Sequence, residues 1–241
     1  TEILAMLSAA PYRGPDGMRI HLWDTVALGY AKSAVTPEDK AEQPPLVSPR
    51  TGCAIIADAR LDNRDDLLAR LPDQPPASAG DSELILRAYE TWGADAAVHL
   101  LGDFAFLIWD PRRRRIVGAR DTSGQRALFY RLSARTFAAA SEVQQLLQDP
   151  AATVAPDDER IRLSLVPLDM FRNEKDSAAT WYEGVRAVPA GHVLVIDQES
   201  DLVRRYWELR PPAELRYRSD DEYAEHSREL FFEVVRARLR S

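Results

Sequence analysis

The chain has 241 residues, 45% of them hydrophobic, with 31 Lys and Arg against 38 Asp and Glu for a net charge of -7. That length can bury a sizeable core, as one large domain or as one domain with part of another. The acidic balance argues against a nucleic-acid surface, which needs a basic excess, and no apolar run approaches the length of a membrane span.

From the N-terminus, Ile3, Leu4, Met6 and Leu7 predict a short amphipathic helix over Glu2 to Ala9, stopped by Pro11. Arg13-Gly14-Pro15-Asp16-Gly17 is turn chemistry, after which His21 to Trp23 and Val26 to Tyr30 pair as a hairpin. Thr36 to Pro49 reads as a polar, proline-bearing loop, Cys53 to Ala57 as a buried strand, and Asn63 to Leu71 as a short helix. A flexible loop, Pro72 to Gly80, leads to a helix capped by Asp81 or Ser82 that runs to Trp92 and stops at Gly93.

Phe104 to Trp109 is almost wholly apolar and too short for a helix, which predicts a strand covered on both faces. Asp110-Pro111 and the four arginines Arg112 to Arg115 make the turn, a solvated hairpin tip, and Ile116, Val117 and Ala119 the return strand. Leu128 to Leu132 and Phe137 to Ala140 form the next hairpin, and Val143 to Leu147 a helical turn. Ala155 to Phe171 reads as helical with a proline break, Arg172 to Thr180 as a polar loop, and Val193 to Ile196 as a strand. Pro211-Pro212 marks a linker. Ser219-Asp220-Asp221-Glu222 is a capping box opening a last helix, acidic at its start, with Arg236, Arg238 and Arg240 at its end. Its apolar face of Leu230, Phe231, Val234 and Leu239 needs a partner, as expected of a cut inside a longer protein. Short strands with segregated helices predict an α+β layered fold rather than a parallel sheet.

Cys53 is the single cysteine, so no intramolecular disulfide forms, which fits a reducing compartment. Nothing resembles a signal peptide, and the expected location is the cytoplasm. His21, His99, His192 and His226 are scattered without metal-ligand spacing, and there is no glycine-rich phosphate loop or Gly-x-Ser-x-Gly elbow.

A series of short words then recurs in order. It runs Arg13-Gly14-Pro15-Asp16-Gly17, Gly80-Asp81-Ser82-Glu83, Leu101-Gly102-Asp103-Phe104-Ala105-Phe106, Ala119-Arg120-Asp121 with Gly124, Leu128-Phe129-Tyr130 and Ser141-Glu142. Pro189-Ala190-Gly191-His192 and Arg205-Tyr206-Trp207 continue it. Over roughly residues 3 to 241 this resembles the N-terminal class II glutamine amidotransferase domain of asparagine synthetase-like enzymes. The resemblance implies an αββα sandwich of the N-terminal-nucleophile hydrolase type, two mainly antiparallel sheets flanked by helices. It implies residues 1–209 as that domain without its first strand, and 210–241 as a linker and the first helix of an ATP-pyrophosphatase (synthetase) domain. ATP and Mg2+ are expected in that C-terminal domain, and no cofactor in this one.

Glutamine hydrolysis in that family uses an N-terminal cysteine thiol, its own α-amine as base, and an Asn side chain with a Gly backbone N–H for the oxyanion. The strand bearing that cysteine is expected ahead of Thr1, which leads into a helix and is not read as a nucleophile. Cys53, in an apolar run without a nearby His in sequence, reads as a buried structural thiol. The family's Asn-Gly-Glu-Ile-Tyr-Asn segment falls on Ala57-Asp58-Ala59-Arg60-Leu61-Asp62. Ala57 has no donor to offer, and Asp58 brings negative charge where negative charge develops. Lys32 falls on the arginine that grips the glutamine carboxylate, without its bidentate fork. Asp81 falls on the aspartate that receives the α-amine, and serves equally as a helix N-cap. Arg120-Asp121 reads as a structural ion pair.

The implied function is a degenerate, glutamine-inactive domain of an ATP-dependent amide-bond-forming enzyme, closest to the lasso-peptide macrolactam cyclase and β-lactam synthetase branch. There a substrate amine attacks an adenylated carboxylate, and the partners are the chain's own synthetase domain and a precursor peptide. Two alternatives stand beside it: a glutamine-hydrolysing asparagine synthetase whose cysteine lies upstream, and a non-catalytic module that docks a peptide or partner protein.

Overall fold

The computed structural model describes residues 2–72, 74–133, 136–150, 155–165, 177–197, 201–211 and 214–239. A six-stranded antiparallel sheet forms the centre. It contains β3 (Leu46–Val47), β4 (Ala54–Leu61), β5 (Gly102–Asp110), β6 (Arg115–Arg120), β10 (His192–Ile196) and β11 (Asp201–Arg205), in the spatial order β11-β10-β6-β5-β4-β3. The remaining strands form a two-stranded piece, β1 (Met18–Leu22) with β2 (Ala27–Ala31), and a three-stranded piece. The latter orders β8 (Phe137–Ala140), β7 (Phe129–Leu132) and β9 (Val185–Ala187).

Period-two alternation sends each central strand's side chains to two cores. Ile55, Ala57, Phe104, Phe106, Ile108, Val117 and Val193 pack with Leu67 of α3 (Arg64–Arg70) and Leu84, Ile85 and Ala88 of α4 (Asp81–Trp92). Ala105, Leu107 and Leu194 face the other way, onto Leu128, Tyr130 and Val188. Beyond that layer lie α1 (Glu2–Ser8) and α5 (Val143–Leu146), which pack on each other, α1 against β2 and α5 against β8. The layers read helix, sheet, sheet, helix, an α+β sandwich with mainly antiparallel sheets, as expected.

Several elements differ from the sequence reading. The strand expected over Cys53 to Ala57 runs on to Leu61, because its pairing with β5 continues to Leu61 opposite Gly102. The expected loop Thr36 to Pro49 contains a helical turn, α2 (Pro37–Ala41), closed by a Thr36–Asp39 capping box, and then β3. Of the expected Ala155 to Phe171 helix, α6 spans Asp158–Ser164, and residues 166–171 lie outside the described residues, as do 172–176, Thr1 and Arg240. The last helix, α7 (Asp220–Arg238), has only half of the expected capping box. Ser219 accepts the Glu222 N–H, but the Glu222 carboxylate turns back to the Arg218 N–H. Arg112 and Arg113 are exposed at the hairpin tip, whereas Arg115 donates to the Tyr89 hydroxyl at 3.0 Å. Among the described residues no helix is long and apolar enough to cross a membrane.

Gly102 is required where β5 begins. Its φ is +142°, and a Cβ there would stand 2.1 Å from the Arg60 carbonyl oxygen of the paired strand. Because the obstructing oxygen belongs to backbone and the Cβ is fixed on its own, nothing swings aside. Gly102→Ala should therefore lower the unfolding free energy by about 2 kcal/mol or more, read as a shift of the urea midpoint. An unchanged midpoint would show that the β4–β5 pairing tolerates the displacement.

Candidate functional site

A cavity of about 620 Å³ opens between the two layers, walled by β2, β4, β8, α1 and α5. Its apolar side comes from Ile3, Leu7, Ile56 and Leu107. Gly29 of β2 lets α1 approach closely, since a Cβ there would lie 3.0 Å from both Ile3 and Leu7. The segment through Val35, Asp39 and Glu42 closes one end.

Ala57, Asp58, Ala59 and Arg60 of the 57–62 segment all border this space, and strand alternation decides which side chains face it. The Ala57 methyl packs into the helix-side core, while Asp58 lies on the cavity side. Asp58 Oδ2 is 3.2 Å from Arg13 Nη1, and its Oδ1 is 3.3 Å from Arg126 Nη1. Arg13 in turn holds the Glu142 carboxylate, with Nη2 to Oε1 at 2.7 Å. The result is an alternating row, Arg126–Asp58–Arg13–Glu142, whose formal charges cancel. Burial, and then the charges of Asp58, Glu42 and Asp39, push the nearby Tyr30 hydroxyl up to about 12, so it stays protonated at neutral pH.

Arg126 is placed by the loop after β6. Asp121, fully buried, accepts the N–H groups of Ser123 (3.0 Å), Gln125 (2.9 Å) and Arg126 (2.9 Å). Burial alone would raise its pKa, but these donors outweigh it and hold the carboxyl below its usual range. Arg120 donates to the carbonyls of Gly124, Arg126 and Val188 from the other side. The expected Arg120–Asp121 ion pair is corrected accordingly: each side chain serves loop backbone, not the other. A buried chain of unpaired peptide groups would otherwise be costly there.

Lys32 and Asp81 both line the cavity, and both are engaged within the chain. Lys32 Nζ donates to the carbonyls of Lys40 (3.0 Å) and Glu42 (2.8 Å). Asp81 is corrected from cap to first residue of α4, the N-cap being Gly80, which has no side chain to offer. Its carboxylate, 2% exposed, accepts the Leu61 N–H at 2.9 Å and pairs with Arg64. Arg64 also donates to the carbonyls of Ala77 and Ala79, tying the loop before α4. The cap on α4 comes instead from Glu42, which accepts the Glu83 N–H at 2.9 Å and a bond from the Ser82 side chain. Burial raises the Glu42 carboxyl pKa above its ordinary value, and the Asp81 charge adds to it.

Cys53 is fully buried, and burial pushes its thiol up, which fits a structural thiol. Among the described residues no three His, Cys, Asp or Glu side chains gather to hold a metal ion. Sequence reading assigned no role to Arg13, Arg126, Glu142, Glu42 or Arg64. Arg13 and Glu142 did stand inside family words, Arg-Gly-Pro-Asp-Gly and Ser-Glu, which were the available signal.

A family model described as a glutamine amidotransferase domain matches residues 1–207. The chain is similar to the amidase chry2 of Gibberella zeae, 27% identical over 251 residues, covering 100% of this chain and 35% of that protein. It is similar to asparagine synthetase [glutamine-hydrolyzing] 3 of Bacillus subtilis, 26% identical over 230 residues, covering 94% of this chain and 36% of that protein. The chain thus spans about a third of the length of these relatives. Among solved structures, the glutamine phosphoribosylpyrophosphate amidotransferase from B. subtilis, complexed with ADP and GMP, superposes with a TM-score of 0.57 at 16% identity. That match covers 86% of this chain and 46% of that one, and shows the fold alone.

Two outcomes follow from these contacts. Arg64→Met strands the buried Asp81 carboxylate and should cost about 3–5 kcal/mol. Pairing it with Asp81→Leu should return part of that loss in chemical denaturation, and no recovery would mean the two side chains act separately. For Glu42, a folded-state pKa raised above the unfolded one gives stability fully present below about 4.3 and lost as pH rises through the folded pKa. Wild type should therefore lose stability relative to Glu42→Gln as the pH climbs from about 4. A slope of opposite sign in denaturation midpoints against pH would contradict this.

Proposed function

The chain belongs to the class II glutamine amidotransferase family, and from that premise we propose that it is a glutamine-silent domain of an asparagine synthetase-like, ATP-dependent amide-bond-forming enzyme. The observation that carries the reading is the Asp58 carboxylate, held in the cavity between Arg13 and Arg126. An amide hydrolase needs donors aimed at a developing oxyanion, and loss of one such donor costs about 2.7–4 kcal/mol of barrier. A carboxylate in that place opposes the charge outright, and the neutral sum of the row leaves no positive field to compensate. Lys32 and Asp81 support the same reading. A glutamine would have to win Lys32 from two carbonyls and Asp81 from a buried guanidinium.

In this reading a strand ahead of residue 1 fits between β2 and β8, whose free edges among the described residues both border the cavity. Without glutamine-derived ammonia, the attacking amine belongs to the substrate, as in a lasso-peptide cyclase acting on a precursor peptide. The substrate carboxylate displaces pyrophosphate from ATP to give an acyl-adenylate. The amine then attacks the acyl carbon, AMP departs, and the amine proton passes to a base. ATP and Mg2+ belong to the synthetase domain that follows, of which α7 is the first helix and to which residues 1–209 dock.

A second reading, a glutamine-hydrolysing synthetase with its cysteine upstream, is favoured by the likeness to the B. subtilis asparagine synthetase. Glutamate release by the full-length protein with ATP and glutamine separates the two. We expect glutamate to stay at the level of a no-enzyme control, with ATP consumed only when an amine-bearing acid is supplied. Glutamate formed in step with amide product would overturn the silent reading and establish the second.

A further inference from the structure

The helix α7 buries none of its residues, and Leu230, Phe231, Phe232 and Val234 are all at least half exposed. Among the described residues, its hydrogen bonds and ion pairs to the body come from its last turn. Arg238 Nε lies 2.9 Å from Asp62 Oδ2, and its Nη1 lies 2.6 Å from Asp103 Oδ2. Arg60 Nη2 donates to the Ala237 carbonyl at 3.0 Å, capping the helix C-terminus with positive charge. The acceptors sit at one end of the central sheet. Arg60 is opposite Asp103 in the β4–β5 pairing, and Asp62 follows β4 with its N–H on the Leu101 carbonyl. The Asp62 and Asp103 side chains are only 10% and 15% exposed, so one guanidinium serves two largely buried carboxylates.

We propose that the β4–β5 end is an electrostatic docking surface for the C-terminal helix, in which Arg238 between Asp62 and Asp103 sets the helix's position. Arg60 belongs to both regions, since it lines the cavity and holds the helix end. Docking of this kind weakens with ionic strength, because the guanidinium is 43% exposed and within reach of counterions, whereas apolar docking does not.

Hydrogen exchange in the last two turns of α7, followed in the full-length protein at low and at molar salt, tests this. Wild-type amides there should exchange about five-fold faster at high salt. Arg238→Met should exchange fast at both and lose the salt dependence, while Glu229→Gln on the same helix should behave as wild type. If Arg238→Met unsettles the body through its bare carboxylates, adding Asp62→Asn and Asp103→Asn should restore denaturation midpoints and still leave the last-turn amides exchanging fast without salt dependence. Exchange in wild type that ignores salt and is unmoved by Arg238→Met would overturn the proposal, and would assign docking to the apolar face.

Discussion

The antiparallel register of β4 on β5, Ala54 opposite Trp109 through Leu61 opposite Gly102, is the constraint on which the rest of this molecule depends. Side chains alternate along a strand, so this one register assigns each residue to a side. Ile55 and Ala57 go to the helix-side core, Ile56 and Asp58 to the cavity, and Arg60 with Asp62 to the sheet end that receives α7. A slip of one residue would bury Asp58 among Leu84 and Phe106 and expose the core. Gly102 guards the register by admitting the Arg60 carbonyl where any side chain would collide.

Charge is then distributed so that the chain answers its own needs. Asp121 feeds on loop N–H groups, Arg120 and Arg64 on loop carbonyls, Lys32 on two carbonyls of the strap beside it, and Glu42 on the open end of α4. Buried or half-buried ions are stable only when hydrogen-bonded as well as paired. Here that requirement is met mainly by backbone of nearby loops, with Val188 for Arg120 and Glu83 for Glu42 as the distant partners. Where polar groups are already satisfied within the chain, as for Lys32 and Asp81, a small-molecule ligand gains little free energy, because each new contact replaces an existing one. The buried Nε atoms of Arg60 and Arg126 beside the same cavity have no hydrogen-bond partner among the described residues.

The layered fold, most elements and the family were legible because they rest on local signals. Phe104 to Trp109 reads as a two-faced core strand without any partner in view, and Gly93 closes α4 with φ of +62° as a terminal glycine should. The cap expected on α4 failed because its partner is distant. Glu42 is 41 residues from the N–H it caps, and no local pattern points to it. Arg120 and Asp121 are adjacent and opposite in charge, which suggests a pair, yet Arg120 ends β6 while Asp121 opens the loop after it, and each side chain bonds to backbone of that loop instead.

The sequence by itself therefore determined most of the strands and helices, the family, and that residue 58 is an aspartate, since periodicity and short motifs are properties of neighbours along the chain. Only the tertiary structure decided what that aspartate meets. Arg13 comes from a turn more than a hundred residues before the loop and the helix cap that carry Arg126 and Glu142. Their convergence depends on strand register and layer packing, which long-range burial sets and which no local pattern of residues encodes.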